Sequence, residues 1–214
     1  MSDHEFELCG ARLRAMASGA LWWPKERTLI VSDLHLGRSE RMARKGGPLL
    51  PPYEVQDTLM RLDEVLGRVA AARVICLGDT FDDRLAAGLA EPMLLWLARM
   101  MAGRQWIWIE GNHDPGPLAL GGEHLAELAL GPLVFRHIAK PGAQGEVSGH
   151  YHPKIRLAGQ RRPCFLTDRS RVILPAFGTY TGGMDASHAD LRPLFGARAL
   201  AIVTGKVAAR PVPF

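Results

Sequence analysis

The chain has 214 residues, 47% hydrophobic and 22% charged, with a net charge of +4. That balance describes a globular chain long enough to bury a sizeable core, and it excludes a disordered or fibrous one. It has no long uncharged apolar run to cross a membrane, no basic-then-apolar opening to act as a signal peptide, and only three scattered cysteines, Cys9, Cys76 and Cys164, with no disulfide framework. The expectation is a cytoplasmic chain forming one domain over residues 1–214.

Residues 1–27 hold short apolar runs around Phe6 and around Leu21, expected as an opening hairpin or edge strands. Residues 28–32 read as a buried strand. Residues 52–72 read as a helix, since Val55, Leu59, Leu62, Leu66 and Val69 recur every three or four positions. Residues 73–77 form the next strand, with Cys76 as a small core residue. Residues 91–101 form a helix with Pro92 near its start and Leu94, Leu97 and Met101 on one face. Residues 105–109 form a third strand, in which Trp106 and Trp108 alternate as core. A short helix is expected near 123–130, then strands at 133–137, 145–150, 172–177 and 199–203. Residues 116–122 and 141–145 read as loops, not domain linkers, and no internal repeat is present. Strands alternate with helices early and dominate late, which predicts a layered α/β fold with a mixed sheet or two packed sheets and ligands outside the carboxyl ends of strands.

The pI of about 9.2 is mildly basic. The charge concentrates in residues 38–45, with Arg38, Arg41, Arg44 and Lys45 against Glu40. It concentrates again in residues 154–171, with Lys154, Arg156, Arg161, Arg162, Arg169 and Arg171 against Asp168. Such stretches are more often solvated surface than a phosphate-binding track, and both readings stay open here.

Five segments carry metal-ligand chemistry, each just past a strand: Asp33 and His35 as DxH; Asp79 and Asp82 as GDxxD; Asn112 and His113 as GNHD; His137; and His150 with His152 as GHxH. In an extended segment, side chains two apart point the same way, so Asp33 and His35 reach one ion together, as do His150 and His152. The glycines before Asp79, Asn112 and His150 allow the backbone a sharp turn and a close approach. Carboxylate, imidazole and amide oxygen suit borderline divalent ions such as Mn, Fe, Zn or Co. A shared carboxylate would bridge two ions about 3.5–4 Å apart, a pair that activates water and stabilises charge during phosphoryl transfer. Each motif alone is commonly a turn or half-exposed strand. Five in order at strand ends are hard to obtain by accident.

The series DxH, GDxxD, GNH, a separate His and GHxH resembles the calcineurin-like metallophosphoesterase superfamily, matched from Asp33 to His152. The resemblance implies an α/β/β/α sandwich of two packed mixed sheets flanked by helices. It implies one ion held by Asp33, His35, Asp79 and His152, and a second held by Asp79, Asn112, His137 and His150. Mn is the foremost expectation, with Fe, Zn or Co as alternatives. It also implies that His113 acts on the leaving oxygen or the phosphoryl group without binding metal, and that Asp82 orients His113. His137 is chosen over His124 from its place at a strand end. Arg38, just past DxH, is placed to touch a phosphate flanking the scissile one.

Residues 174–183, with the segments around Asp33, Asp79 and His150, resemble the bacterial ligase-associated DNA damage response endonucleases. That resemblance implies a phosphodiesterase acting on single-stranded or flapped DNA in repair, beside an ATP-dependent DNA ligase, a helicase and an exonuclease. The alternative is a small-molecule phosphoesterase such as a nucleotide or UDP-sugar-lipid pyrophosphatase. The UDP-sugar-lipid enzymes tend to carry Arg where this chain has His113, and no apolar cap insertion for acyl chains is evident. A non-catalytic scaffold is disfavoured by the complete ligand set.

Overall fold

The computed structural model of the chain describes residues 3–82, 89–113, 120–205 and 209–214. Met1 and Ser2, Asp114, and residues 116–119 of the expected 116–122 loop lie outside the described residues.

The first sheet runs in chain order: β1 His4–Leu8, β2 Ala11–Ala15, β3 Leu21–Trp23, β4 Thr28–Val31, β5 Arg73–Leu77, β6 Gln105–Ile109 and β7 Glu123–Leu125. The strands from β1 to β4 are antiparallel neighbours, and those from β4 to β7 are parallel. Between them lie α1 Arg38–Arg44, α2 Glu54–Arg68 and α3 Glu91–Met101. The parallel strands are apolar throughout because both faces are covered. Val74, Cys76, Trp106 and Trp108 face α2 and α3, whereas Ile75, Leu77, Ile107 and Ile109 face the second sheet. On α2, Leu59, Leu62, Val65 and Leu66 are the buried stripe, and Thr58 beside them is buried too.

The second sheet holds β8 Glu127–Leu130, β9 Leu133–Arg136, β10 Glu146–Ser148, β11 Lys154–Leu157, β12 Gln160–Thr167, β13 Arg171–Ile173, β14 Leu200–Val203 and β15 Arg210–Pro213. Its order is β15-β14-β12-β13-β10-β9-β8, with β11 pairing β12 as a hairpin. Only β9, β10 and β13 are parallel neighbours. Leu133, Phe135, Val147, Phe165, Val172 and Ile202 interdigitate with the first sheet's inner face. The outer face packs under Ala186, Leu191 and Phe195, where a single 3-10 turn at Arg192–Leu194 stands in for a helix.

The expected helix near 123–130 is instead two strands. Glu, Leu and Ala favour a helix locally, but β7 pairs with β6 and β8 pairs with β9, so this segment carries the chain from one sheet to the other. No helix among the described residues is long and apolar enough to cross a membrane.

Candidate metal centre

The ligand-bearing loops all leave carboxyl ends of strands: Asp33 after β4, Asp79 after β5, Asn112 after β6, His137 after β9 and His150 after β10. The site thus sits at one end of the sandwich, across the seam between the sheets. A main-chain ladder fixes the first two loops together. Asp33, His35 and Leu36 donate their N–H groups to Gly78, Asp79 and Thr80 at 3.3, 2.9 and 2.8 Å, and Asp82 returns one to Leu36 at 3.1 Å. On the other side, Phe177 and Gly178 donate to the carbonyls of Ser32 and Asp33 at 2.8 and 3.1 Å.

The DxH and HxH segments are not extended. Asp33, His35, Asp79, His150 and His152 have φ of 54, 45, 46, 70 and 46°, which makes them five of the nine non-glycine residues with left-handed backbones among those described. Each such residue costs on the order of 1 kcal/mol or more, and strain of this kind clusters where function holds it in place. Left-handed residues alternating with Leu34 and with Tyr151 bring the paired side chains to one side, as a pleat would have done. Two glycines are required by close approach. A Cβ on Gly149 would lie 1.7 Å from Ser32 Oγ, and one on Gly78 would lie 2.4 Å from His137 Nδ1.

Three triads result. Asp33, His35 and His152 place one ligand atom each within 4.8 Å of one another, and so do Asp79, His137 and His150, while His35, Asp82 and His113 form a third. Asp33 Oδ1 stands 3.1 Å from His152 Nε2, and His35 Nε2 stands 3.2 Å from His152 Nε2. His137 Nε2 stands 2.9 Å from Asn112 Oδ1, 3.4 Å from Asp79 Oδ2 and 3.2 Å from His150 Nδ1. His35 Nε2 lies 3.9 Å from Asp79 Oδ2, so Asp79 reaches toward both groups.

Proton placement shows why these atoms suit a metal. His137 Nδ1 donates to the Leu77 carbonyl at 2.8 Å, so in the neutral ring Nε2 carries a lone pair aimed at oxygen atoms. His35 Nδ1 lies 2.8 Å from Asp82 Oδ1, and the charge of that carboxylate favours a proton on this side of the ring although the contact is not a well-formed hydrogen bond. Asp33 Oδ1 is fully buried and accepts no well-formed hydrogen bond. Lone pairs and carboxylate oxygens that converge without protons between them repel, and a divalent cation is what such a donor set fits.

The acids are held ionised. Burial works to raise the pKa of Asp79, but the hydrogen bond and charge of His137 bring it down to about 2. Asp33 is likewise opposed by burial and lowered by His152, then His137 and Ser32. Asp82 lies well below the carboxylate range, since its contacts with His35, Arg41 and Arg38 outweigh burial. Burial lowers the pKa of His137, but Asp79 and Asp33 overcome it and raise the group to about 9 in the metal-free protein. Metal and proton therefore compete for this imidazole.

Asp82 meets His113 through its main chain. Its carboxylate is fully buried against His35, Arg38 at 2.9 Å and Arg41 at 2.8 Å, while its main-chain carbonyl accepts from His113 Nδ1 at 2.7 Å. The carbonyl, not the carboxylate, thus orients His113. The reason is that α1 presents two guanidiniums that claim the acid. Arg38, expected at a substrate phosphate, is engaged with Asp82. His113 also donates its main-chain N–H to Asp79 Oδ1 at 2.9 Å, and its ring packs edge-on against His35. His124 lies beside Trp108, away from these groups. Three contributors escaped the sequence reading: Ser32, whose hydroxyl donates to Asp33 Oδ2, the Leu77 carbonyl and Arg41. Only Arg41 had a signal, its i+3 spacing from Arg38, and α1 was itself unread.

The sequence matches a family model described as calcineurin-like phosphoesterase over residues 26–162, a span that includes every candidate ligand. The crystal structure of Pseudomonas putida nuclease MPE is similar at 29% identity with a TM-score of 0.78, over 99% of this chain and 100% of that one. No curated protein matches.

Proposed function

The chain belongs to the calcineurin-like phosphoesterase family and is a metal-dependent hydrolase of phosphoesters, and from that premise we propose that it cleaves phosphodiester bonds in DNA with a pair of divalent ions. The observation that carries the pair is the two adjoining triads with Asp79 reaching toward both. In this reading Asp33, His35, Asp79 and His152 hold one ion, and Asp79, Asn112, His137 and His150 hold the other. Mn is the foremost candidate, with Fe, Zn or Co as alternatives. When bound, the ions polarise the phosphoryl oxygens and make water a competent nucleophile near neutral pH.

The remaining chemistry belongs to side chains. His113 donates its Nδ1–H to the Asp82 carbonyl, so Nε2 faces away from that bond, and the doubly protonated ring is the form that delivers a proton from Nε2 to the leaving oxygen. Asp82, with Arg38 and Arg41, sets the ring of His35. Support for a nucleic-acid substrate comes from the name of the similar Pseudomonas putida nuclease and from the basic surface considered below. A setting in DNA repair, beside a ligase, a helicase and an exonuclease, rests on the family resemblance alone. The test is cleavage of labelled single-stranded and flapped DNA with metals varied, beside turnover of bis-p-nitrophenyl phosphate. Cleavage that requires metal and is lost in Asp79→Ala supports the proposal. Intact DNA beside good turnover of a nucleotide diphosphate would replace it with a small-molecule pyrophosphatase.

A further inference from the structure

The basic residues 154–171 do not act together. Arg171 is 2% exposed and paired with buried Glu146, which makes it part of the core. The β11–β12 hairpin is different. It begins two residues after His152, and its register sets Arg156 directly opposite Arg161, with Lys154 opposite Pro163. Directly opposed residues share a face, as do residues two apart, so Lys154, Arg156 and Arg161 project together. Like charges placed directly opposite destabilise a hairpin.

Little within the protein relieves that repulsion. Neither Arg156 nor Arg161 forms an ion pair with a described residue. Asp185 is the carboxylate in their field. Its pKa is lowered first by the Ser187 hydroxyl and then by Arg161 and Arg156. Arg161 and Lys154 are instead strapped by carbonyl oxygens, those of Gly183 at 2.9 Å and Thr181 at 3.1 Å. These carbonyls belong to the segment that continues from Phe177 and Gly178, whose amides hold the Ser32 and Asp33 backbone. The cations are therefore fixed relative to the metal centre. Arg161 also lines a cleft of about 490 Å³ shared with the ligands His150 and His152 and with Tyr151, Gly183, Met184, Asp185 and His188.

Resting on the nuclease reading, we infer that the β11–β12 hairpin face of Lys154, Arg156 and Arg161 is a subsite for DNA backbone phosphates on the His150–His152 side of the scissile bond. A polyanion entering the cleft meets Arg161, with Arg156 opposite it on the hairpin, and adds counter-charge to that of Asp185. Tyr151 and Met184 give the same cleft an apolar wall for a base.

The measurement is binding and cleavage of single-stranded DNA by the Arg156→Gln/Arg161→Gln protein across a salt series. Arg99→Gln serves as the control, since Arg99 is an exposed cation on α3 paired with Asp63. The double variant is expected to bind DNA about tenfold more weakly, and the slope of log affinity against log salt should fall by about 1.4, at about 0.7 per lost phosphate contact. The preference for DNA over bis-p-nitrophenyl phosphate should fall in step, and Arg156→Lys/Arg161→Lys should restore most of it. Wild-type DNA cleavage with an unchanged salt slope in the double variant overturns this subsite and leaves the nuclease reading standing. Wild-type protein that turns over bis-p-nitrophenyl phosphate but neither binds nor cuts DNA overturns both.

Discussion

The protein holds two buried charged clusters. One is the Asp33–Asp79 centre. The other surrounds Glu146, where Oε1 accepts from Arg171 at 3.1 Å, and Oε2 accepts from Arg136 at 2.8 Å and from the Lys140 amide at 2.8 Å. Arg171 also donates to the Lys140 and Ala143 carbonyls at 3.2 and 3.3 Å, so apart from the Nε atoms of both arginines the second cluster closes on itself. In the first, imidazole nitrogens face one another, the Asn112 amide oxygen and the Asp79 carboxylate at 2.9–3.4 Å, with no well-formed hydrogen bond to Asp33 Oδ1. The acids at the heart of both clusters, Asp33 and Asp79 in one and Glu146 in the other, are equally buried, although Asn112 is exposed and His150 and His152 are half-buried. Burial therefore does not mark the site, whereas unanswered lone pairs do.

The contrast is sharpened most by removing one acid from each cluster. In Asp79→Ala, turnover of bis-p-nitrophenyl phosphate should drop to about one thousandth of wild type or less, because the carboxylate reaching toward both ion sites is gone. The same protein should stay folded and lose the rise in unfolding temperature that metal gives the wild type. In Glu146→Ala, Arg171 is left buried and unpaired at a cost of about 3–5 kcal/mol, an unfolding temperature roughly 10 °C lower, with turnover per folded molecule retained. The reverse pattern would undo the distinction between the clusters.

His113→Ala should keep its metal and lose turnover by about 10²–10⁴-fold, as befits a proton donor outside the ligand set. Loss of metal, read by elemental analysis, would make His113 a ligand.

The effect of pH separates the clusters more finely. The folded pKa of His137 is raised to about 9 from 6.5. Its stabilisation of the metal-free fold is thus complete below pH 6.5 and lost as pH rises through about 9. Metal needs the deprotonated ring, so the gain in unfolding temperature on adding Mn should grow between pH 7 and pH 9, with proton release seen by calorimetry in two buffers. A gain independent of pH would remove His137 from the metal. The smallest change belongs to the rim of the closed cluster. Glu127 is exposed and meets Arg136 and Lys140 near 3.1–3.2 Å, and Glu127→Ala should melt with wild type.

Much of this was legible in the chain. The parallel strands β4, β5 and β6 announce themselves as continuous apolar runs, and α2 by its stripe at Leu59, Leu62 and Leu66. The ligand loops are legible because turn glycines and ligand residue types coincide at strand ends. Residues 123–130 misled because pairing with β6 and β9 overrides local helix preference. The edge strand β15, with Pro211 and Pro213, carried no strand signal, since proline belongs only at such edges. The left-handed ligand backbones were invisible because Asp and His types do not encode φ. The exchange at Asp82 was invisible for a related reason: a motif letter cannot say whether the carbonyl or the carboxylate orients His113.

The most direct measurement is electron paramagnetic resonance of the metal-free protein titrated with Mn. Two adjoining triads with Asp79 reaching toward both predict two ions per chain and a spin-coupled spectrum. Saturation at one ion, or two ions with uncoupled spectra, would contradict the paired centre.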